Sequence, residues 1–320
     1  MIARVAIEHR NSYALRCEDG AEIFATLAGK LRFETTHREQ MPTVGDFVRV
    51  RENVIEEVLP RKTVFLRKAA GDAVEAQVIA ANIDTVFVVT GLDGDFNPRR
   101  LERYYATARA SGAHCAILLN KADLCADLDD RVQQIRAIAP GADVVAVSAR
   151  NGDGIEALRP YLVPGEAVAF VGSSGAGKST LINRLLGRDR QSTGAVREAD
   201  SRGRHTTTHR ELLETPSGAL LIDTPGLREL QPWAGEDDVD AAFPDIEELA
   251  RQCRYRDCRH AGEEGCAVEA AIDFDRLSNY RKMRKEAAYL DRQLDVRAQL
   301  EQKAKWKRIH KAMRNVDKRA

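Results

Sequence analysis

The sequence has no excess of either charge, no long apolar run and few aromatic residues. Lys plus Arg number 49 and Asp plus Glu number 49 in 320 residues, so the bulk charge carries no polyanion-binding signature. Apolar stretches such as Val86–Val89 and Ala219–Ile222 fall far short of the roughly 18 residues that a membrane span needs. The first residues, MIARVAIEHR, lack the long apolar core of a secretory signal. A cytoplasmic chain with no membrane partner is therefore expected. Cysteine is scarce and uneven: Cys253, Cys258 and Cys266 crowd together, while Cys17, Cys115 and Cys125 are scattered. Clustered cysteines in a reducing compartment point to metal rather than to disulfides.

The zero net charge hides local asymmetry. Residues 236–248 carry seven acids and no bases, whereas 301–320 carry eight bases against two acids. A nucleic-acid partner therefore stays open. The length allows two or three domains. Residues 1–70, with 12 bases and 10 acids, hold β-type runs such as GDFVRV (45–50) and VIEEVL (54–59) between turn residues, which suggests a small all-β barrel or sandwich. From about residue 80 strands alternate with helical patterns. IDTVFVVTG, HCAILL, VVAV, EAVAFVG and GALLID are the strands, with helical spacing over 99–110, 127–139 and IEALRPYL. That rhythm predicts a doubly wound, mostly parallel α/β sheet. Beyond about 235 the chain is acidic, then cysteine-rich, then helical, with apolar residues at threes and fours from Leu277 to Leu294.

Five loop motifs carry chemistry. Gly172-Ser173-Ser174-Gly175-Ala176-Gly177-Lys178-Ser179-Thr180 follows a strand and opens a helical run. Such a loop turns backbone N–H groups toward phosphates, with Lys178 reaching the β/γ oxygens and the Ser179 hydroxyl available to Mg²⁺. Asn120-Lys121-Ala122-Asp123 follows the strand HCAILL. Asp123 there can accept from both N1–H and the exocyclic amine of guanine, a pair that adenine does not offer. Ser148-Ala149-Arg150 follows the next strand and can present the Ala149 N–H to guanine O6. Asp223-Thr-Pro-Gly226 ends a further strand, placing Asp223 where a carboxylate can hold Mg²⁺ and Gly226 where it can meet a γ-phosphate. Between them lies the Thr-rich stretch RGRHTTTH (202–209), one of whose threonines is a candidate Mg²⁺ ligand.

The order of these motifs is unusual, because the guanine-type loops precede the phosphate loop. One site can be built from them only in a circularly permuted chain. The permuted order, GSSGAGKST, GRHTTT and the downstream cysteine cluster together resemble the ribosome-small-subunit-dependent GTPase A family. The resemblance implies three domains: an OB-fold RNA-binding domain at 1–70, a circularly permuted GTPase at 71–232, and a mostly helical zinc domain with a basic tail at 233–320. It implies GTP and GDP as ligands, Mg²⁺, GTP hydrolysis that is slow alone and stimulated by the small ribosomal subunit, and a role in late maturation of that subunit. The expected partners are the subunit, its rRNA and other assembly factors, met by a monomer. Cys253, Cys258, His260 and Cys266 form a Cys₃His set, suited to one closed structural zinc ion. The family carries zinc at the matching positions; Glu264 stands where many relatives have Pro.

Position 227 is Leu, where many GTPases use Gln to orient water. His205 is the internal candidate for that role, and the resemblance also points to it; contact with solvent or RNA is the alternative. The Lys/Arg-rich tail around Trp306 offers phosphate-neutralising charge beside one stacking ring. A nucleotide-binding RNA scaffold without a hydrolysis switch, or a P-loop ATPase or kinase, are the rival functions.

Overall fold

The computed structural model describes residues 1–34, 38–68, 76–187, 211–223 and 234–293. Five strands open the chain: β1 (Ile2–Glu8), β2 (Tyr13–Cys17), β3 (Glu22–Leu27), β4 (Phe47–Arg51) and β5 (Val54–Val58), with a short helix α1 (Gly29–Glu34) after β3. They pair in the order β1-β2-β3-β5-β4, and β4 pairs back onto β1, so the barrel closes. Alternate residues point inward, and Val5, Leu15, Val48 and Ile55 are fully buried in the interior. A closed five-stranded barrel with this strand order matches the OB-like expectation.

The chain leaves the barrel through a hairpin, β6 (Val64–Lys68) and β7 (Ala76–Ala81), which forms its own two-stranded sheet. Position 70 therefore falls between the strands of a hairpin. Phe65 and Ile79 are fully buried against the α/β core, so the hairpin belongs to that packing rather than acting as a loose linker.

The α/β region contains β8 (Thr85–Gly91), β9 (His114–Asn120), β10 (Asp143–Ala146), β11 (Ala167–Gly172), β12 (Glu211–Glu214) and β13 (Leu220–Asp223). Their order is β10-β9-β8-β11-β13-β12, parallel except for β12, which runs antiparallel to β13. Period-two alternation splits the core in two. Val86 and Val88 face helices α2 (Pro98–Ala110) and α3 (Leu128–Ile138), while Phe87 and Val89 face α4 (Lys178–Leu186). The expected helix IEALRPYL is a 3₁₀ helix over Ile155–Tyr161, because Pro160 lacks the N–H that an α-helix would need there. The strand β12 was not anticipated; four residues, ELLE, give too short a pattern to read.

Two contacts fix the barrel to this sheet. Ile7 of β1 pairs with Glu211 of β12, which makes barrel and sheet one continuous eleven-stranded array. Arg4, only 7% exposed, donates to Gly45 O at 3.2 Å, Gly165 O at 3.0 Å and Asn82 O at 2.7 Å, joining barrel, hairpin end and α/β region. Burial lowers its pKa, opposed by the nearby Asp84 and Asp46 carboxylates.

The C-terminal part packs helices α5 (Glu236–Ala242), α6 (Pro244–Ala250), α7 (Ala267–Ala271) and α8 (274–293) against α2. Tyr280, Met283 and Ala287 of α8 supply the buried stripe that the spacing predicted. At the centre lies Glu102 of α2, 1% exposed, which meets Arg276 of α8, Arg99 at 2.6 Å and Asn279 at 2.7 Å. Arg276 also reaches Asp245 of α6 at 2.9 Å and stacks over Phe243 at 4.8 Å. Burial pushes the Glu102 carboxyl up, although Arg276 and Arg99 oppose the shift.

Candidate functional site

The phosphate loop leaves β11 at Gly172 and enters α4 at Lys178. Two glycines are dictated by close approach. A Cβ on Gly172, at φ 142°, would lie 2.1 Å from Val89 O; one on Gly177, at φ 94°, would lie 2.1 Å from Asn120 Nδ2. Ser174 and Gly175 are exposed at the tip, while Ala176 is buried and anchors the loop in the core. Lys178 is 7% exposed, and its ammonium donates to Gly172 O at 2.7 Å and to Ser173 O. Ser179 and Thr180, half-buried, stand in the first turn of α4, where free backbone N–H groups favour anions.

Asn120, at the end of β9, joins three loops with one side chain. Its Nδ2 donates to Ala176 O at 2.7 Å, and its Oδ1 accepts from the Ala149 N–H at 2.9 Å. The residue is 2% exposed. Lys121 then takes a left-handed conformation at φ 63° and turns the chain into a 3₁₀ helix, Ala122–Leu124, that holds Asp123 exposed. Ser148 is fully buried; its Oγ accepts from Asn151 N at 3.2 Å and its carbonyl from Gly152 N at 2.8 Å. Arg184 of α4 braces the same turn through Ala149 O at 2.8 Å and Arg150 O at 2.7 Å. The result is a cleft of about 230 Å³ whose walls include Asp93, Lys121, Asp123, Ala149, Gly177 and Thr180. The structure thus brings the predicted Asn120, Lys121, Asp123, Ser148, Ala149 and phosphate-loop residues together at the C-terminal ends of parallel strands, where α/β sheets hold ligands.

Asp223 ends β13, the strand beside β11, so its backbone stands at the same end of the sheet. Gly226, His205, the threonines at 206–208, Leu227 and the basic tail lie outside the described residues.

The ligating atoms of Cys253, Cys258, His260 and Cys266 lie within 4.8 Å of one another, a cluster that can hold a metal ion. His260 Nδ1 stands 3.6 Å from Cys253 Sγ and 3.5 Å from Cys266 Sγ. A tetrahedral zinc ion with Zn–S of about 2.3 Å and Zn–N of about 2.0 Å spans an S···N edge of about 3.5 Å, so the donor set and spacing fit that ion. The backbone turns sharply at the cluster. His260 adopts φ 58°, uncommon for a residue with a Cβ, and Cys266 caps α7 by accepting from Glu269 N. Burial lowers the His260 pKa, helped by Arg281 and Arg284, which favours the neutral imidazole that ligates metals. Against the opposing effect of burial, the backbone N–H groups of Val268 and Ala267 hold the Cys253 thiol below its ordinary value.

A family described as RsgA GTPase matches residues 58–233. A small ribosomal subunit biogenesis GTPase RsgA from Opitutus terrae is 51% identical over 332 residues, covering 98% of this chain and 90% of the relative. The chain belongs to the RsgA GTPase family. A namesake from Xylella fastidiosa is 50% identical over 290 residues, spanning 89% of this chain and 85% of its own. Among solved structures, the crystal structure of YjeQ from Thermotoga maritima aligns with a TM-score of 0.67 at 28% identity, covering 90% of this chain and 98% of that one. The crystal structure of YloQ, a circularly permuted GTPase, aligns at 0.61 and 23% identity over 90% and 94% of the two chains, a likeness of fold. A second family, described as 50S ribosome-binding GTPase, matches residues 167–308. GTP hydrolysis is the activity of the RsgA GTPase family, and the strand order above is that of a permuted GTPase core.

Asp93 and Asp95, in the loop after β8, contact this site and were not anticipated from the sequence. Their signal was available in the run Gly91-Leu-Asp-Gly-Asp-Phe-Asn-Pro98, which follows a buried strand and carries two acids at a turn.

Proposed function

We propose that this GTP hydrolase acts in late maturation of the small ribosomal subunit. Asp123 reads the guanine edge, with Asn120 and Lys121 bracing and covering it. The Ala149 N–H meets O6, and residues Gly172 to Thr180 cradle the phosphates. The observation that carries the nucleotide assignment is the pair of hydrogen bonds from the Asn120 side chain, to Ala176 of the phosphate loop and to Ala149 of the third loop. One buried amide therefore unites segments whose order in the chain is permuted. Ser179 and Asp223 are the assigned Mg²⁺ ligands, and Mg²⁺, when bound, neutralises charge building on the phosphates. Cys253, Cys258, His260 and Cys266 hold one zinc ion in a structural role, because all four positions are filled by protein.

His205, in place of a glutamine at 227, orients the attacking water when the partner is bound. The partner is the small ribosomal subunit with its rRNA and associated assembly factors. It is met by a cytoplasmic monomer through the barrel at 1–70 and the zinc region at 233–320, including the basic tail. The names of the relatives support the subunit, and the closed barrel supports RNA contact.

The test is GTP turnover with and without isolated small subunits. Slow hydrolysis alone and a large rise with subunits is expected, lost in His205→Ala; equal rates for wild type and variant with subunits present would remove His205 from the mechanism. Asp123→Asn should exchange GTP for xanthosine triphosphate. Retained GTP preference would end the guanine assignment.

A further inference from the structure

Strand β8 lies between β9 and β11, so the loop leaving its C-terminal end emerges between the guanine-type loop and the phosphate loop. Two carboxylates of that loop reach to opposite sides. Asp93 pairs with the Lys121 ammonium, and Asp95 accepts from Ser173 Oγ at 2.5 Å.

The loop is itself tied down at both ends. Leu92 N–H donates to Asn120 O at 2.8 Å, and Asp95 N–H donates to Asp93 Oδ1 at 3.3 Å. Arg100 holds the Asp95 carboxylate at 2.8 Å, while Asn97 Oδ1 caps α2 by accepting from Arg100 N at 3.1 Å. Asp93 also lines the cleft that holds Asp123 and Ala149. Burial works against the charge on Asp93, yet Lys121 and the Asp95 N–H lower its pKa overall.

We propose that Asp93 and Asp95 are positioning residues that clamp the two halves of the nucleotide site together. Asp93 aims Lys121 along the wall of the base cleft, and Asp95 sets the phosphate loop through Ser173. Lysine is a flexible stem with many rotamers, and fixing it before the nucleotide arrives removes that ordering cost from binding. The arrangement also answers the topology. The two loops belong to different strands separated in the sheet by β8, so the loop of β8 is the one placed to grip both. The clamp rests on the nucleotide reading given under Proposed function.

Double-mutant cycles on GDP affinity test it, using a fluorescent GDP analogue and the full chain. Asp93→Ala and Asp95→Ala should each weaken binding about tenfold, the size of one lost hydrogen bond to a charged group. Adding Lys121→Ala to the first, or Ser173→Ala to the second, should cost no more than the weaker single variant, because each pair acts as a unit. Asp93→Asn should fail to rescue, since its partner is a cation, and in turnover the loss should appear in KM. A melting temperature equal to wild type separates this from a folding defect. Tight wild-type binding with additive cycles, or single variants within twofold of wild type, overturns the clamp alone. A wild-type chain that binds no GDP overturns the nucleotide reading and the clamp with it.

Discussion

Asn120→Ala is the most direct probe of how the site is assembled. The side chain is 2% exposed and makes two hydrogen bonds, at 2.7 Å to Ala176 O and at 2.9 Å from Ala149 N. Its removal forfeits both, at about 1 kcal/mol each, and leaves buried backbone groups of Ala149 and Ala176 without a partner, at about 1 kcal/mol more. The sum, about 3 kcal/mol, equals roughly a hundredfold in Kd if it falls on the nucleotide-bound state. Calorimetric titration with GDP reads the affinity, and a thermal melt of the nucleotide-free chain reads the share that falls on folding. Asn120→Asp sharpens the test. It keeps an acceptor for the Ala149 N–H but sets a carboxylate oxygen against the Ala176 carbonyl, so its loss should match or exceed that of Ala. If Asn120→Ala bound GDP within threefold of wild type at an unchanged melting temperature, the three loops would not depend on this amide and the reasoning would fail.

Arg276→Met should destabilise the chain by about 3 kcal/mol in urea, because it strips Glu102 of a buried partner; adding Glu102→Leu should recover most of the loss. Elemental analysis should find one zinc ion per wild-type chain and close to none in Cys258→Ser, whose amide exchange should rise across 250–272. The pH dependence of stability should show two wings from one surface cluster. Hydrogen bonds from Tyr161 and His114, each at 2.8 Å, hold the Asp143 carboxyl below its usual range. A depressed acid stabilises above its unfolded pKa, so that contribution disappears as pH falls below about 4. Burial and Asp143 push the Tyr161 hydroxyl up to about 12. A raised phenol stabilises below its unfolded pKa near 10, and this contribution fades as pH climbs toward 12. Asp143→Asn should flatten both wings in a stability-versus-pH series.

Much of the site was legible in the sequence because its chemistry is local. The glycines of the phosphate loop, the acid after Asn120-Lys121 and the Cys₃His spacing each sit within a few residues, and turn geometry alone confines them. The strands β8, β9 and β11 were equally plain, being apolar runs covered on both faces. What stayed hidden depends on partners distant in the chain. β12 exists because β13 and β1 flank it, not because ELLE prefers extension. Asp93 and Asp95 look like solvated turn acids until the order β9-β8-β11 sets Lys121 and Ser173 on either side. Glu102, a charged residue on the buried face of α2, follows from the docking of α8 and has no signature in its own neighbourhood.

The single β1–β12 pairing, with Arg4 behind it, gives the barrel a mechanical identity beyond that of a tethered neighbour. A bare β12 would be an open sheet margin, free to recruit foreign strands. Here that margin is occupied by the protein's own first strand. A torque applied to the barrel is therefore delivered to the strand running antiparallel beside β13, whose end carries Asp223. Whatever grips the front of the molecule holds a handle on the sheet end where the parallel strands finish.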